Sequence, residues 1–433
     1  MIRWILQGLI RDKTRSLFPF LIVAVGVALT VSLFGFMDGI GLSMLDLTAK
    51  LDTGHVRLVN KAFYEEEHLV PIDRALAGQK ETGEWLEHNS DPRIHWSPRI
   101  RWRALMDVPD ENGETRSQTP VTGFAIDMLS PESFDVDRLN LRQSILSGRL
   151  PKNPHEMIVG YRLAENLDLK LDDTITLLGQ SFDGGMAADN YQVVGFVRFG
   201  VTAMDQKMAL MDLTGAQRTF YMDDMVTDWL GYLPASVSYH DYKAIKEGIQ
   251  PKIPQWMKNP PTAWAKDDEP IVLTILEQRN LGPMFDKFEL IRSVTILVFT
   301  VLMVLVLWNA GLINGIHRYG EMGLCLALGE THRMIVFRLA IEAFVLGVAG
   351  SLAGCLVGGA FVWYLQEVGV NMGDALAQSG MMLSEVARGR LSWEGMVWGV
   401  VPGVAASVLG NLIASLSIFK RSEASLFREL EVG

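Results

Sequence analysis

The chain has 433 residues, of which 21% are charged, with 39 Lys and Arg against 50 Asp and Glu and a mean hydropathy of +0.18. That length accommodates a soluble domain together with membrane spans, and that hydropathy suits neither a wholly soluble enzyme nor a many-span transporter, so charged and apolar residues must be segregated along the chain. A net charge of −11 argues against a nucleic-acid surface, because phosphate binding needs clustered Lys and Arg. The two cysteines, Cys325 and Cys355, lie in or beside apolar runs and imply no disulfide framework.

Residues 1–15 read as a cytoplasmic amphipathic helix. Ile2, Ile5, Leu6 and Leu9 form one face and Arg3, Gln7, Arg11 and Thr14 the other, a pattern suited to a membrane interface. Residues 16–37 carry no charge and predict transmembrane helix 1, with Pro19 in its first turn. The run is longer than the apolar core of a signal peptide and follows a helix, so an uncleaved span is the expectation. Ile40, Met44, Leu45 and Leu47 continue the helical pattern outward as a stalk. Residues 38–289 then predict a large extracytoplasmic α+β domain with helical stalks. Val56 and Leu58 alternate with Arg57, Ile175 and Leu177 with Thr174 and Thr176, and Tyr191 and Val193 with Gln192, as strands do. Residues 160–167 read as a short helix, and turn signals such as Asn153-Pro154 and Asp183-Gly184-Gly185 separate the elements. Residues 271–281 and 284–291 read as a returning helical stalk, broken near Gly282-Pro283.

Three further uncharged runs, 293–316, 343–366 and 395–419, predict transmembrane helices 2 (290–316), 3 (338–366) and 4 (395–419). Between them lie a cytoplasmic coupling segment, 317–337, and an outer loop, 367–394; residues 420–433 form a cytoplasmic tail. Arg3, Arg11, Lys13 and Arg15, then Arg318, Arg333 and Arg338, then Lys420, Arg421 and Arg428 fall on one side of a four-span chain, which places both termini in the cytoplasm. Arg388 and Arg390 in the outer loop vote weakly the other way, beside Asp374 and Glu385. The fold class is therefore a membrane protein with four transmembrane α-helices and a large α+β domain between helices 1 and 2.

No catalytic pattern fits the sequence. The chain has no G-x-x-x-x-G-K-[ST] string to cradle a nucleotide, and no G-x-S-x-G elbow. Leu146-Ser147-Gly148 only echoes the signature of ABC ATPases, and His155-Glu156 lacks the second histidine of a zincin. Asp135 and Asp137 lack the glycine of a calcium loop, and the eight histidines have no metal-ligand spacing. The expectation is a non-catalytic chain with no cofactor and no metal of its own. What does recur is glycine: Gly350, Gly354 and Gly358 in span 3, and Gly395, Gly399 and Gly403 in span 4, continued by Ser407. Small residues at this spacing make a groove in which another helix can approach closely. The partner can lie within the chain or in another subunit. Gly311 and Gly315 make only one such pair in span 2, so tighter packing is expected in spans 3 and 4.

The segment from His317 to Arg338 is polar at both ends, and Met322, Leu326 and Gly329 share one face with Leu324 and Leu328 beside them. Its pattern Arg318-x-x-Glu321-x-Gly323, followed by Ala327-Leu328-Gly329, resembles the coupling segment of FtsX-like, MacB-type ABC permeases. Gly320 and Leu326 stand where that family usually has basic residues. Gly148-Arg149-Leu150, Glu156 to Gly160, Leu163-Ala164, Leu167, Leu169, Asp173, Ile175 and Val193-Val194-Gly195 resemble the periplasmic domain of the same family, with Asp172 where glycine is commoner.

The resemblance implies a permease without an ATPase of its own, and it makes Arg318, Glu321, Gly323, Ala327, Leu328 and Gly329 contacts for a separate ABC ATPase dimer, which would bind ATP-Mg. It further implies a second permease chain, the same or a paralogue, in the bacterial inner membrane, and a mechanism of mechanotransmission. A periplasmic carrier or adaptor protein is a further expected partner, alongside membrane lipid. Gly54-His55-Val56-Arg57-Leu58 with Tyr64 is similar to the lipoprotein-releasing branch, which implies release or export of a lipoprotein or other hydrophobic or peptide substrate. Tripartite efflux of drugs or peptides, regulation of a cell-wall hydrolase, and sensing without an ATPase stay open as alternatives.

Overall fold

A computed structural model describes residues 13–110, 113–131, 133–234, 237, 241–256, 269–317, 324, 328–371 and 386–420. These fall into two compact units: one from the chain up to Leu42, Phe285–Asn371 and Val386 onward, the other from Ser43–Met284. Among the described residues four helices are long and apolar enough to cross a membrane. The first is α1 (Lys13–Thr48), which passes directly into a π-helical turn, Ala49–Thr53. Pro19 lies inside α1 and not in its first turn, because the helix starts upstream of the apolar run. Gly54 ends the helical stretch at φ +64° and ψ 177°, a conformation essentially reserved for glycine.

The outer unit is built on ten described strands: β1 (Val56–Asn60), β2 (His95–Pro109), β3 (Thr115–Ile126), β4 (Ile145–Gly148), β5 (Glu156–Gly160), β6 (Thr174–Gln180), β7 (Met186–Val197), β8 (Met208–Asp212), β9 (Asp228–Tyr232) and β10 (Pro270–Thr274). Their order is β10-β1-β9-β2-β3-β8-β5-β7-β4, while β6 pairs with both β2 and β7. The six strands β2, β3, β8, β5, β7 and β6 thus close on themselves, which removes free edges from that part of the sheet. The pairs β3–β8 and β5–β7 are parallel and the rest antiparallel. Helices α2 (Gln79–Asn89), α3 (Phe134–Arg138), α4 (Tyr161–Leu167) and α5 (Leu213–Thr219) lie between strands in the chain. Phe124, Ile126, Val136, Leu139, Ile158, Val197, Met204 and Leu210 form a dry core that also takes in Leu51 of the π-helical turn.

Two details give the MacB-like string its physical sense. Arg149 makes a two-pronged contact with Glu156, at 2.5 and 2.9 Å, fixing the loop between β4 and β5. Asp172 sits at φ +70°, a left-handed position that explains why glycine is at home there.

The structure corrects the expected helical stalk at 271–281. Residues Pro270–Thr274 form β10, paired antiparallel with β1, and a 3-10 turn follows at Ile275–Glu277. The second span, α6 (Leu281–His317), then runs without interruption. Gly282 and Pro283 lie in its first turn, where an N–H has no intrahelical acceptor and proline costs little.

The third span, α7 (His332–Val368), begins ahead of residue 338, inside the segment 317–337 that was expected to precede it. The fourth, α8 (Trp393–Lys420), carries Pro402 internally. Val23, Val27 and Val31 of α1 pack with Met303 and Leu307 of α6 and Ala406 of α8. Ser407 donates to the Ala343 carbonyl at 2.8 Å, and Asn411 donates to the Leu339 carbonyl at 3.0 Å, two polar ties from α8 to α7. Near one end of the bundle, Arg292 of α6 approaches Asp38 of α1 at 3.8 Å and lies over the Phe34 ring.

Candidate functional site

Two places carry the functional expectations, and the structure adds a third. In the coupling segment, Arg318, Glu321, Gly323 and Ala327 lie outside the described residues. Leu328 is 79% exposed, and its N–H donates to the Leu324 carbonyl at 3.0 Å. Gly329 stands at φ +94° with open space around a Cβ position, so its glycine serves the turn ahead of α7 and not a close approach within this chain.

Within the described residues, Gly350, Gly354 and Gly358 of α7 and Gly395, Gly399 and Gly403 of α8 face α1. A Cβ added at Gly354 would stand 2.5 Å from the Ala24 carbonyl oxygen, and one at Gly358 2.7 Å from that of Ala28. At Gly350 it would meet the Phe20 oxygen and Val23, both at 3.0 Å. From α8, Gly395 faces Phe34 at 2.7 Å, Gly399 faces Val31 at 2.4 Å and Gly403 faces Val27 at 2.4 Å. Gly35 and Gly39 of α1 itself are as tight, against Val362 at 2.7 Å and the Arg388 oxygen at 2.2 Å. Their four-residue spacing was readable in the sequence. Gly311 departs from its expected looseness: its Cβ would lie 2.8 Å from that of Ala414, because α6 meets α8 there.

The third place was not foreseen as a site. The π-helical turn after α1 leaves carbonyls without intrahelical partners, at the negative end of the helix dipole. Arginines take three in succession: Arg138 donates to Lys50 O, Arg99 to Leu51 O at 2.8 Å, and Arg101 to Asp52 O. Arg101 also holds the Asp52 carboxylate and, at 3.0 Å, that of Asp228. Arg57, wholly buried in β1, reaches Asp228 at 2.9 Å, Glu67 at 2.7 Å and the Gln278 side-chain oxygen at 3.2 Å. Arg279 closes the set from the other side, 3.2 Å from Asp52 and 3.7 Å from Glu67. Burial pushes the Asp228 carboxyl up, but the Arg101 and Arg57 guanidiniums more than offset this and hold it below the usual carboxylate range.

Beside this cluster the outer unit has a cleft of about 890 Å³, lined among others by Lys80, His95, Ser97, Asp127, Phe134 and Asp135. His95 packs on the Phe134 ring with centroids 3.7 Å apart. The carboxylates in its wall are already engaged: Asp135 by Ser97 and Arg138, Asp127 by the Ser130 N–H, and Asp212 by the N–H groups of Met128, Leu129 and Thr214.

The MacB-like periplasmic core domain matches residues 16–242, more than half of the chain, and the FtsX-like permease C-terminal domain matches residues 293–422. The chain belongs to the FtsX-like, MacB-type family of ABC permeases. Among solved structures, the periplasmic region of MacB from Actinobacillus actinomycetemcomitans aligns at 11% identity over 55% of this chain and 95% of its own, with a TM-score of 0.34. The extracellular domain of YknZ, a noncanonic ABC-type transporter from Gram-positive bacteria, aligns at 12% identity over 51% of this chain and 99% of its own, with a TM-score of 0.33. No curated protein matches the chain significantly. In this MacB-type permease the charged cluster went unread because Arg99 and Arg101 sit in an alternating strand with Ile100 and Trp102, where one expects arginines outward. Over residues 99–102 both faces of β2 are covered instead, and Arg99 and Arg101 are only 1% and 9% exposed.

Proposed function

We propose that this chain is the membrane subunit of an ABC transporter that works by mechanotransmission in the bacterial inner membrane. The ATPase is a separate dimeric subunit that binds ATP-Mg and docks on the segment carrying Arg318, Glu321, Gly323, Ala327, Leu328 and Gly329. Both termini are cytoplasmic, and a second permease chain completes the complex. The observation that carries this reading is the pair of matches, a MacB-like core domain followed by an FtsX-like membrane domain, in one chain. The continuity of α1 from Lys13 to Thr48 supports it, because an unbroken helix is a means of carrying displacement along the chain.

The cargo assigned is a lipoprotein or other hydrophobic or peptide substrate, released or exported at the outer face and passed to a periplasmic carrier or adaptor. This assignment rests on resemblance. The Gly54–Leu58 string and Tyr64, which suggested the lipoprotein-releasing branch, have structural work in the outer unit: His55 accepts from the Leu233 N–H at 3.0 Å and Tyr64 donates to the Glu277 carbonyl at 2.9 Å. The test is co-purification with an ABC ATPase, with hydrolysis measured with and without a diacylated lipopeptide. Glu321→Lys combined with Gly329→Trp is expected to leave the permease folded and to weaken ATPase binding or its stimulation. Unchanged binding together with unchanged stimulated hydrolysis would remove the coupling assignment.

A further inference from the structure

We propose that Asp52, Glu67 and Asp228, with Arg57, Arg101 and Arg279, form a joint that locks the end of α1 and the start of α6 to one sheet, so that movement of either helix end moves the outer domain as a body. This rests on the mechanotransmission reading above and deepens it by naming positioning residues.

Geometry argues for a joint in three steps. First, the helix end is gripped by its backbone. Lys50, Leu51 and Asp52 each give a carbonyl to a different arginine, and those arginines come from α3 and β2. A helix end held by side-chain packing alone can turn or slide; one held by three directed, charge-assisted hydrogen bonds has one seating. Second, the return to α6 passes through the same charges. Asp52 precedes Gly54 at one helix end and Arg279 precedes Leu281 at the other, and the two are paired at 3.2 Å. Third, the approach to α6 is strained in a way that needs an external hold. Arg279 and Asn280 both stand in the left-handed region, at φ +52° and +56°. Consecutive non-glycine residues there persist only where the surroundings fix them. Here the fixing groups are the Arg279 ion pairs and Gln278, which is fully buried, accepts from Arg57 and donates to the Thr274 carbonyl at 3.2 Å. Tyr64 adds a tie from the segment after β1 to the Glu277 carbonyl.

Arg279 is the residue to test, because its side chain is 51% exposed and its removal leaves no cavity in the core. Lys246, which pairs with Glu277 at 2.6 Å next door but makes no contact with the cluster, is the control. The measurement is hydrogen exchange on the full-length chain in lipid nanodiscs, alone and with its ATPase trapped by ATP and vanadate. In the chain alone, Arg279→Ala is expected to raise exchange about fivefold at residues 50–54 and 278–282, the scale of a half-exposed ion pair, while β5 and β8 keep wild-type protection. Arg279→Lys restores most of it, and Lys246→Ala changes neither segment. In the trapped complex, wild type is expected to change exchange within the outer domain. Arg279→Ala hydrolyses ATP within twofold of wild type but loses that change. Should alanine loosen the whole domain, Arg279→Gln, which keeps a stem and a donor without charge, is read in the same way.

Wild-type exchange at both segments in Arg279→Ala overturns the joint, and so does full transmission through that variant. A wild-type complex that hydrolyses ATP with no change in the outer domain instead overturns the transport mechanism, and with it the joint's mechanical role. The chain-alone arm separates the two failures, since it needs neither ATPase nor cargo.

Discussion

Two glycines in α7 allow the packing of the bundle to be tested with one methyl group each. A Cβ at Gly354 would lie 2.5 Å from Ala24 O, 2.8 Å from Val27 Cβ and 3.1 Å from Ala28 N. Ordinary contact starts near 3.4 Å, so α7 and α1 would have to part by about 0.9 Å at that point. The nearest atom is a backbone oxygen of a packed helix and cannot rotate away. Overpacking of this kind costs ~1–3 kcal/mol, and the upper end applies because the obstacle is rigid. Alanine recovers about 1 kcal/mol of helix propensity, which leaves a net loss of roughly 2 kcal/mol. Five residues on, a Cβ at Gly359 would meet nothing nearer than Leu391 Cδ1 at 3.7 Å. There the propensity gain stands alone, and Gly359→Ala is expected to be neutral or to stabilise by up to about 1 kcal/mol. The difference between the variants, roughly 2–3 kcal/mol, is independent of membrane mimetic to first order because both sit in one helix. Reversible unfolding of the full-length chain by SDS titration in mixed micelles, followed by tryptophan fluorescence, would measure it. Equal midpoints for Gly354→Ala and Gly359→Ala, or a larger loss at Gly359, would refute the packing of α7 on α1.

Three further predictions bear on the remaining parts. Gly54→Ala is expected to cost about 2–3 kcal/mol in the same assay, because φ +64° with ψ 177° excludes a side chain and a Cβ there would be 3.0 Å from Val56 O; an unchanged midpoint would show that the π-helical turn does not end as described. Burial holds the His55 imidazole near a pKa of about 4, below its ordinary 6.5, so its neutral form is favoured in the fold. Its contribution is complete above pH 6.5 and is lost as pH falls toward 4; a stability loss on the order of 2–3 kcal/mol over that window in wild type, shallower in His55→Gln, is expected by equilibrium unfolding at each pH. Topology follows from the basic flanks: a reporter fused after Arg421 should report cytoplasm and one inserted at Asp183 the outside, and the same side for both would sink the four-span arrangement.

The membrane part was legible because a bilayer imposes a rule that needs no tertiary information: about 20 uncharged residues must become a helix. The four helices follow from that rule, and their ends do not, since hydropathy sees neither the helix upstream of Pro19 nor α7 beginning at His332. Half-buried strands such as β6 were equally legible, with Ile175 and Leu177 inward and Thr174 outward. Residues 271–274 were misread because Ile-Val-Leu suits a helix or a buried strand, and what decides is the partner β1, more than two hundred positions away in the chain. The glycine series was legible as spacing, but spacing alone carries no information about which helix fills the groove.

The charged cluster shows a different limit. Arg57, Arg99 and Arg101 each look like the polar alternate of an amphipathic strand, and the rule behind that reading assumes a solvated face. Once both faces are covered, the same residues become buried cations; Arg57 and Arg101 are made tolerable by the acids Asp52, Glu67 and Asp228, and Arg99 by the Leu51 carbonyl and the Tyr232 hydroxyl. Such clusters are poor sources of stability, because desolvation consumes most of the Coulomb gain and apolar replacements are often neutral or better for the fold. Their distinctive property is directional: each guanidinium accepts few arrangements of its partners. A permease that must pass displacement from helix ends to a sheet has use for that property and not for extra stability. On the proposed reading, a variant with the whole cluster made apolar would unfold no more easily than wild type yet transmit less. A single cut such as Arg279→Ala would loosen the two helix ends locally and lose the transmitted change.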